Sequence, residues 1–273
     1  MSASHSPLNV GVFGLGAIGA EVVTRLSAGV DGLRLAAVGA RDHDKARRRL
    51  AGLESSVPVL GASELVQASD VVLECAPAAA FDEIAGITVE AGRIFMPLSV
   101  AALLDRPGLV GRASQTGARI VVPTGALVGL DAVRAAAEGT IHSVTAITRK
   151  PPRGLRGAPY LVERGIELDG LTEPLMIFEG NAREAARGFP ANVNVIAALS
   201  LAGIGPERTR LQIWADPAIT RNSHRIEVDA DSARFTLEIE GIPTEANPAT
   251  GRITALSAVA CLRGLVSPLR VGS

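Results

Sequence analysis

The chain has 273 residues, 47% of them apolar, with 27 Lys and Arg against 28 Asp and Glu and a net charge of −1. This apolar content excludes disorder as the dominant state, and the balanced charge excludes the basic field by which proteins hold nucleic acid through counterion release. Aromatic residues are only 3% of the chain, so stacking surfaces for bases or sugars are not expected and the core must be built from small aliphatics, as in many α/β enzymes.

Residues 8–13 (LNVGVF) read as a short buried strand, followed at once by GLGAIG and then by AEVVTRLSAG, whose apolar spacing suits a helix. Gly14, Gly16 and Gly19 therefore match G-x-G-x-x-G between a strand and a helix, the context in which the motif cradles a pyrophosphate at a helix N-terminus. With Ala17 and Ile18 between them, these glycines are the first candidate contacts to NAD or NADP. Residues 33–38 (LRLAAV) are expected to form the next parallel strand. An NAD-binding chain places a carboxylate after that strand for the ribose 2′-OH. Here Ala40 occupies the position and Arg41 offers a guanidinium suited to the 2′-phosphate of NADP. Asp42 reaches the ribose only if the register shifts by two, and RDHDKARRR also reads as a solvated helix start. NADP use is the favoured reading.

Strands over 69–75, 93–96 and 118–122 alternate with helices over 78–85 and 99–104. Such repeated βα units predict a Rossmann-type, doubly wound parallel sheet that binds ligand at the carboxyl ends of its strands. That rule gathers the glycine turn, Ala76, Ser99 and the Pro123 to Ala126 segment around one crevice. Past a helix over 131–138, with Asp131 as its expected cap, strand-like runs follow one another at 143–149, 175–179, 209–215, 223–228 and 233–239. This pattern predicts a second, α+β domain with a mixed or antiparallel sheet, including helices over 182–187 and 192–202. The expected division is a dinucleotide-binding domain over 1–123, a substrate and dimerisation domain over 124–247, and a last helix over 248–265, started by Asn247-Pro248, that packs back on the first. PPRGLRGAP (151–159) reads as a mobile loop.

Cys75 and Cys261 lie in apolar runs, the N-terminus lacks a signal pattern, and no apolar run approaches the roughly 18 residues of a membrane span. A reduced, cytoplasmic protein without membrane association is expected. No H-x-x-x-H, C-x-x-C or clustered carboxylates call for a metal.

The blocks GLGAIG, LSVAAL, VVPTGALVGLDA, TRKPP, FPANVNVIAALSLAGIG, DPAITRNSHRIEV and NPATG…ALSAVACLR, in this order from residue 9 to 263, resemble the L-aspartate dehydrogenases. The resemblance implies NAD(P)-linked oxidation of L-aspartate to iminosuccinate, which hydrolyses to oxaloacetate and ammonia or feeds NAD synthesis, and it implies a homodimer. It places the active-site histidine on His224, and cofactor contacts on Ala126 and on an asparagine of FPANVNV, either Asn192 or Asn194, with Asn192 preferred. Many relatives read PSGA where this chain has Thr124, which keeps the hydroxyl, and Asn-x-Pro near residues 240–243, where this chain reads EGIP.

Amine oxidation requires a neutral amine as hydride leaves, and fixed partners for two carboxylates. A histidine, with a reference pKa of about 6.5, suits the proton step. His224 is therefore expected to orient the substrate and act as general base, on the ammonium or on the water that attacks the iminium. Arg221 and Asn222 stand just upstream as donors, and a cluster of cations around His224 is expected to hold the small dicarboxylate. Ser99, Arg149 and Lys150 are further candidates, whereas His5, His43 and His142 lie in polar or loop contexts. Competing readings are a dehydrogenase or imine reductase for another small amino or oxo acid, a homoserine-dehydrogenase-like or dihydrodipicolinate-reductase-like enzyme, and a non-catalytic dinucleotide-dependent regulator.

Overall fold

The structure, a computed structural model, describes residues 6–52, 56–190, 193–244 and 250–272. The chain divides into two units, one from residues up to 99, 106–123 and 255–270, the other from 100–105 and 124–254. Residues 100–105 thus group with the second unit, although they lie within the first unit's run of sequence.

The first unit begins with β1 (Leu8–Phe13), α1 (Ala17–Ser27), β2 (Leu33–Gly39), α2 (His43–Leu50), β3 (Val59–Leu60), α3 (Ala62–Gln67) and β4 (Val71–Glu74). It continues through α4 (Phe81–Glu90) and β5 (Ile94–Pro97) and, after α5 (Ala101–Leu104) of the second unit, through α6 (Pro107–Thr116) and β6 (Arg119–Ile120). All pairings in this sheet are parallel, and its six strands run β3-β2-β1-β4-β5-β6. This is the Rossmann order, with the topological switch point between β1 and β4. The central strands are largely apolar, and every residue of β4 is buried, including its last, Glu74. The core joins Val10 and Val12 of β1, Val22 and Leu26 of α1 and Leu73 of β4 to Ala258, Val259 and Leu262 of the chain's last helix, which is described as Arg252–Val266.

In the second unit, α7 (Leu130–Ala137), β7 (Ile141–Lys150), α8 (Pro159–Arg164), β8 (Leu175–Asn181), α9 (Ala182–Gly188), α10 (Asn194–Ala202), β9 (Thr209–Ala215), β10 (Asn222–Ala230) and β11 (Arg234–Gly241) follow in turn, and the last helix is α11. The sheet order is β11-β10-β7-β9-β8, with β7 and β9 parallel and the other pairs antiparallel. The fold class is thus a Rossmann-type α/β unit plus an α+β unit with a mixed sheet.

Several local expectations change. The helix expected over 78–85 is a 3-10 turn at Ala78–Ala80 followed by α4, which runs on to Glu90. Asp131 does not cap α7: the cap is Gly129, in the left-handed region at φ 68°, and Asp131 lies in the first turn. The expected mobile loop holds a 3-10 turn at Pro152–Gly154 and is anchored by Leu155, which is fully buried. Five of the eight Phe, Tyr and Trp rings pack on one another, as an edge-to-face pair of Phe81 with Phe95 and a cluster of Tyr160, Phe178 and Phe189. Among the described residues no helix is long and apolar enough to cross a membrane. Asn247-Pro248 lies outside the described residues.

Candidate active site

In the first unit the glycines of the β1–α1 turn divide the work. Gly14 has φ 105°, and a Cβ there would lie 2.7 Å from the Cys75 backbone, while one on Gly19 would lie 2.0 Å from the Gly14 carbonyl oxygen. These two positions are glycine because the chain packs against itself. Gly16 differs: a Cβ there would meet nothing within 4 Å. It is the N-cap of α1 and provides no side-chain cap, and no acidic residue occupies the first turn. The N-terminus of an 11-residue helix thus has neither a side-chain cap nor an acidic first turn, beside a residue whose missing side chain leaves space, which fits the pyrophosphate of a dinucleotide. Ala17 and Ile18 open that helix.

At the end of β2, Arg41 is exposed and Asp42 is engaged elsewhere, its side chain accepting a hydrogen bond from the Lys45 N–H (2.9 Å) as the cap of α2. This favours the helix-start reading of Asp42 over a ribose contact.

Ala76 and Ser99 are brought together by a residue that sequence reasoning passed over. Glu74, the last residue of β4, is fully buried. It accepts hydrogen bonds from the Ala76 N–H (2.8 Å), the Ser99 N–H (3.0 Å) and the Ser99 hydroxyl (3.0 Å). Burial raises its pKa, and these donors, led by Ser99, oppose the rise. Glu74 so ties the turn after β4 to the turn after β5, on the ligand side of a doubly wound sheet. The signal was a carboxylate inside the apolar run VVLEC.

The second unit holds the other candidates. Alternation along β7 buries Val144, Ala146, Thr148 and Lys150, and along β10 it buries Asn222, His224, Ile226 and Val228. His224 pairs with Thr148 across the ladder. One buried face is thus apolar at one end and carries Thr148, Lys150, Asn222 and His224 at the other. Lys150 is 3% exposed, and Asn222 and His224 are each 5% exposed. Thr148 Oγ1 and His224 Nδ1 lie 3.0 Å apart. Thr148 and Lys150 also line a recess walled by Val193, Val195 and Ile196 of the α10 segment and by Leu211 and Ile213 of β9. Burial lowers the His224 pKa to about 3, with the Lys150 charge adding to the effect, and burial lowers Lys150 to about 8.

Of the expected cation cluster, Lys150 alone shares the buried face of His224 among the described residues. Arg149, one residue on, points to the opposite face, where it pairs with Asp216 (3.2 Å) and lies over the Trp214 ring. Arg221 is exposed and within 3.8 Å of Glu240. The cause is the strand period of two, which sends neighbours to opposite faces. Asn194 is partly committed, its Oδ1 accepting from the Ala101 N–H at the start of α5 (3.0 Å). Ala126 sits in the turn after Gly125, at φ 67°. Asn192 lies outside the described residues.

A Rossmann-type sheet with an open glycine turn, carried in one chain with a mixed sheet that buries a histidine beside a lysine, defines an NAD(P)-dependent oxidoreductase. Residues 14–123 match the family model described as homoserine dehydrogenase, NAD binding domain, and residues 131–265 match that of aspartate dehydrogenase, C-terminal. The chain is 54% identical to an L-aspartate dehydrogenase of Bradyrhizobium diazoefficiens over 99% of this chain and 96% of that one. It is 52% identical to L-aspartate dehydrogenase 3 of Bordetella bronchiseptica, over 99% and 100% of the respective chains. The crystal structure of aspartate dehydrogenase from Thermotoga maritima superposes with a TM-score of 0.72 at 23% identity, covering 97% of this chain and 99% of that one. The chain belongs to the L-aspartate dehydrogenase family.

Proposed function

We propose that this chain oxidises L-aspartate to iminosuccinate, which hydrolyses to oxaloacetate and ammonia, with the dinucleotide on the Gly14 to Gly19 turn and the amino acid at the polar end of the second unit's buried sheet face. The observation that carries the reading is the placement of His224 and Lys150 on that one face. A nicotinamide held on the Gly14 to Gly19 turn would supply the hydride acceptor for this oxidation. Lys150 holds a substrate carboxylate, its ammonium being the buried cation near His224. His224 takes the proton that the ammonium must lose, or the proton of the water that attacks the imine. Either task uses the tautomer in which Nδ1–H donates to Thr148 Oγ1, 3.0 Å away, leaving the lone pair on Nε2. Glu74 and Ser99 keep the turns beside the cofactor in place.

Reduced-nicotinamide absorbance tests the reading with L-aspartate, D-aspartate, L-glutamate and L-homoserine, each with NAD and NADP, and in reverse with oxaloacetate and ammonia. Turnover is expected with L-aspartate, and its absence in both directions would overturn the assignment. Arg41, exposed at the end of β2, is assigned to the NADP 2′-phosphate, so Arg41→Ala is expected to raise the KM for NADP more than that for NAD. Equal effects would remove it from that role.

A homodimer belongs to the same reading. The sheet face opposite the site carries partly exposed Ile147 and Trp214 and an exposed Met176. Light scattering is expected to give twice 28.1 kDa, and a monomer mass would contradict it. Two free cysteines fit a reducing cytoplasm, which cell fractionation checks. Whether the product serves NAD biosynthesis or general aspartate metabolism is separated by growth of a deletion strain without nicotinate.

A further inference from the structure

Among the described residues three buried side-chain polar atoms lack a hydrogen-bond partner: Ser27 Oγ, Arg93 Nε and Asn222 Oδ1. Arg93 is otherwise engaged through Nη1 with Asp70, and Ser27 ends α1. Asn222 stands apart because it shares the buried sheet face with His224 and Lys150. Its cross-strand neighbour on β11 is Gly241, which has no side chain to offer. On the other side, Ser223 pairs with Arg149, so the next position outward sets Asn222 beside Lys150. A buried carboxamide oxygen without a donor is destabilising to the free protein. Such a group persists where a ligand supplies the missing donor.

We propose that Asn222 is the substrate-binding residue that recognises the amino group, its side-chain oxygen accepting a hydrogen bond from the α-nitrogen of L-aspartate. This rests on the aspartate dehydrogenase reading and adds the source of selectivity for an amine over a bare dicarboxylate. The sequence had marked Asn222 as a donor; the unpartnered atom is its acceptor. Division of labour follows from the chemistry of each group. A cation meets a carboxylate, an imidazole moves a proton, and an amide oxygen accepts from N–H whether the nitrogen is ammonium or amine. A site whose buried acceptor is left unpaired by the wrong ligand discriminates more strongly than one relying on apolar fit.

The test compares L-aspartate with succinate, the same dicarboxylate without the amine. Dissociation constants for both are measured on enzyme saturated with reduced dinucleotide, where no oxidation occurs, in wild type, Asn222→Ala, Asn222→Leu and Asn222→Asp. Removing the acceptor is expected to weaken L-aspartate by about tenfold or more and succinate by less than about threefold. Asn222→Asp keeps an acceptor at the same place but adds a negative charge, so it is expected to weaken both dicarboxylates while the ratio of the two constants still favours L-aspartate at least as much as in the wild type. The Tm of ligand-free Asn222→Leu is expected to stay level or rise, because an unsatisfied buried atom is removed; a purely structural asparagine would instead lower it. Parallel loss for both ligands on removal of the acceptor, no loss for L-aspartate, loss confined to the dinucleotide, or a fall in Tm would each overturn the proposal. Turnover of L-aspartate by the wild type tests the underlying reading separately.

Discussion

In the ligand-free protein His224 is a neutral imidazole, held there by burial first and by the Lys150 charge second, with a pKa of about 3. For the proposed role as general base so low a pKa is poorly matched to an ammonium, so that proposal requires the bound substrate to raise it. In the proposed complex, two substrate carboxylates beside Lys150 would favour the imidazolium and raise the His224 pKa, by about a unit or more for an opposite charge within ~4–6 Å. NMR of 15N-labelled histidine is expected to find His224 neutral down to pH 5 in the free enzyme, and its pKa raised in the complex with reduced dinucleotide and succinate. A normal pKa near 6.5 in the free enzyme would contradict this. The same shift has a stability consequence. Because the folded pKa lies below the unfolded one, the unfolded chain takes up this proton first. The contribution to stability is complete above about pH 6.5 and is lost as pH falls toward 3. His224 and Lys150 were candidates from the blocks RNSHRIEV and TRKPP, and the structure buries both on one sheet face. Thr148 as the partner of His224 was not legible in the sequence, because that pairing spans 76 residues and depends on a strand register that one slip would invert.

At the scale of elements, the glycine turn separates a structural from a ligand-facing requirement. Gly16→Ala is expected to leave Tm within about a degree, since the new Cβ meets nothing within 4 Å, and to weaken dinucleotide binding by about tenfold or more by filling the space beside the helix N-terminus. Gly19→Ala forces a Cβ to 2.0 Å from a carbonyl oxygen. It is expected to cost about 1–3 kcal/mol or more in stability. Thermal unfolding and a fluorescence titration with NADPH check both, and the reverse pattern would contradict the division. The strands and helices around this turn were legible because apolar period and glycine spacing are local properties. The small differences arose where local signals are weak, as at Asp131, where an acidic residue resembles a cap while a left-handed Gly129 performs that task. Glu74 escaped attention because a charge in a buried strand has meaning only with its three donors from two turns in view.

Across the whole molecule, the two-part architecture followed from the change from alternating βα units to consecutive strands. Near-zero net charge and few rings, features that at first only excluded nucleic acid and stacking ligands, fit the proposed site, where the described residues place a buried lysine, a buried neutral histidine and a buried carboxamide oxygen on one sheet face. The arginines nearby in sequence are held by Asp216 and Glu240 instead. The proposed role of His224 is open to a single comparison. Steady-state oxidation of L-aspartate by His224→Asn, measured beside the dinucleotide dissociation constant, is the most direct test. The account predicts a fall in kcat of about 100-fold or more with dinucleotide binding unchanged within about twofold; near-normal turnover, or a loss explained by failed dinucleotide binding, would contradict it.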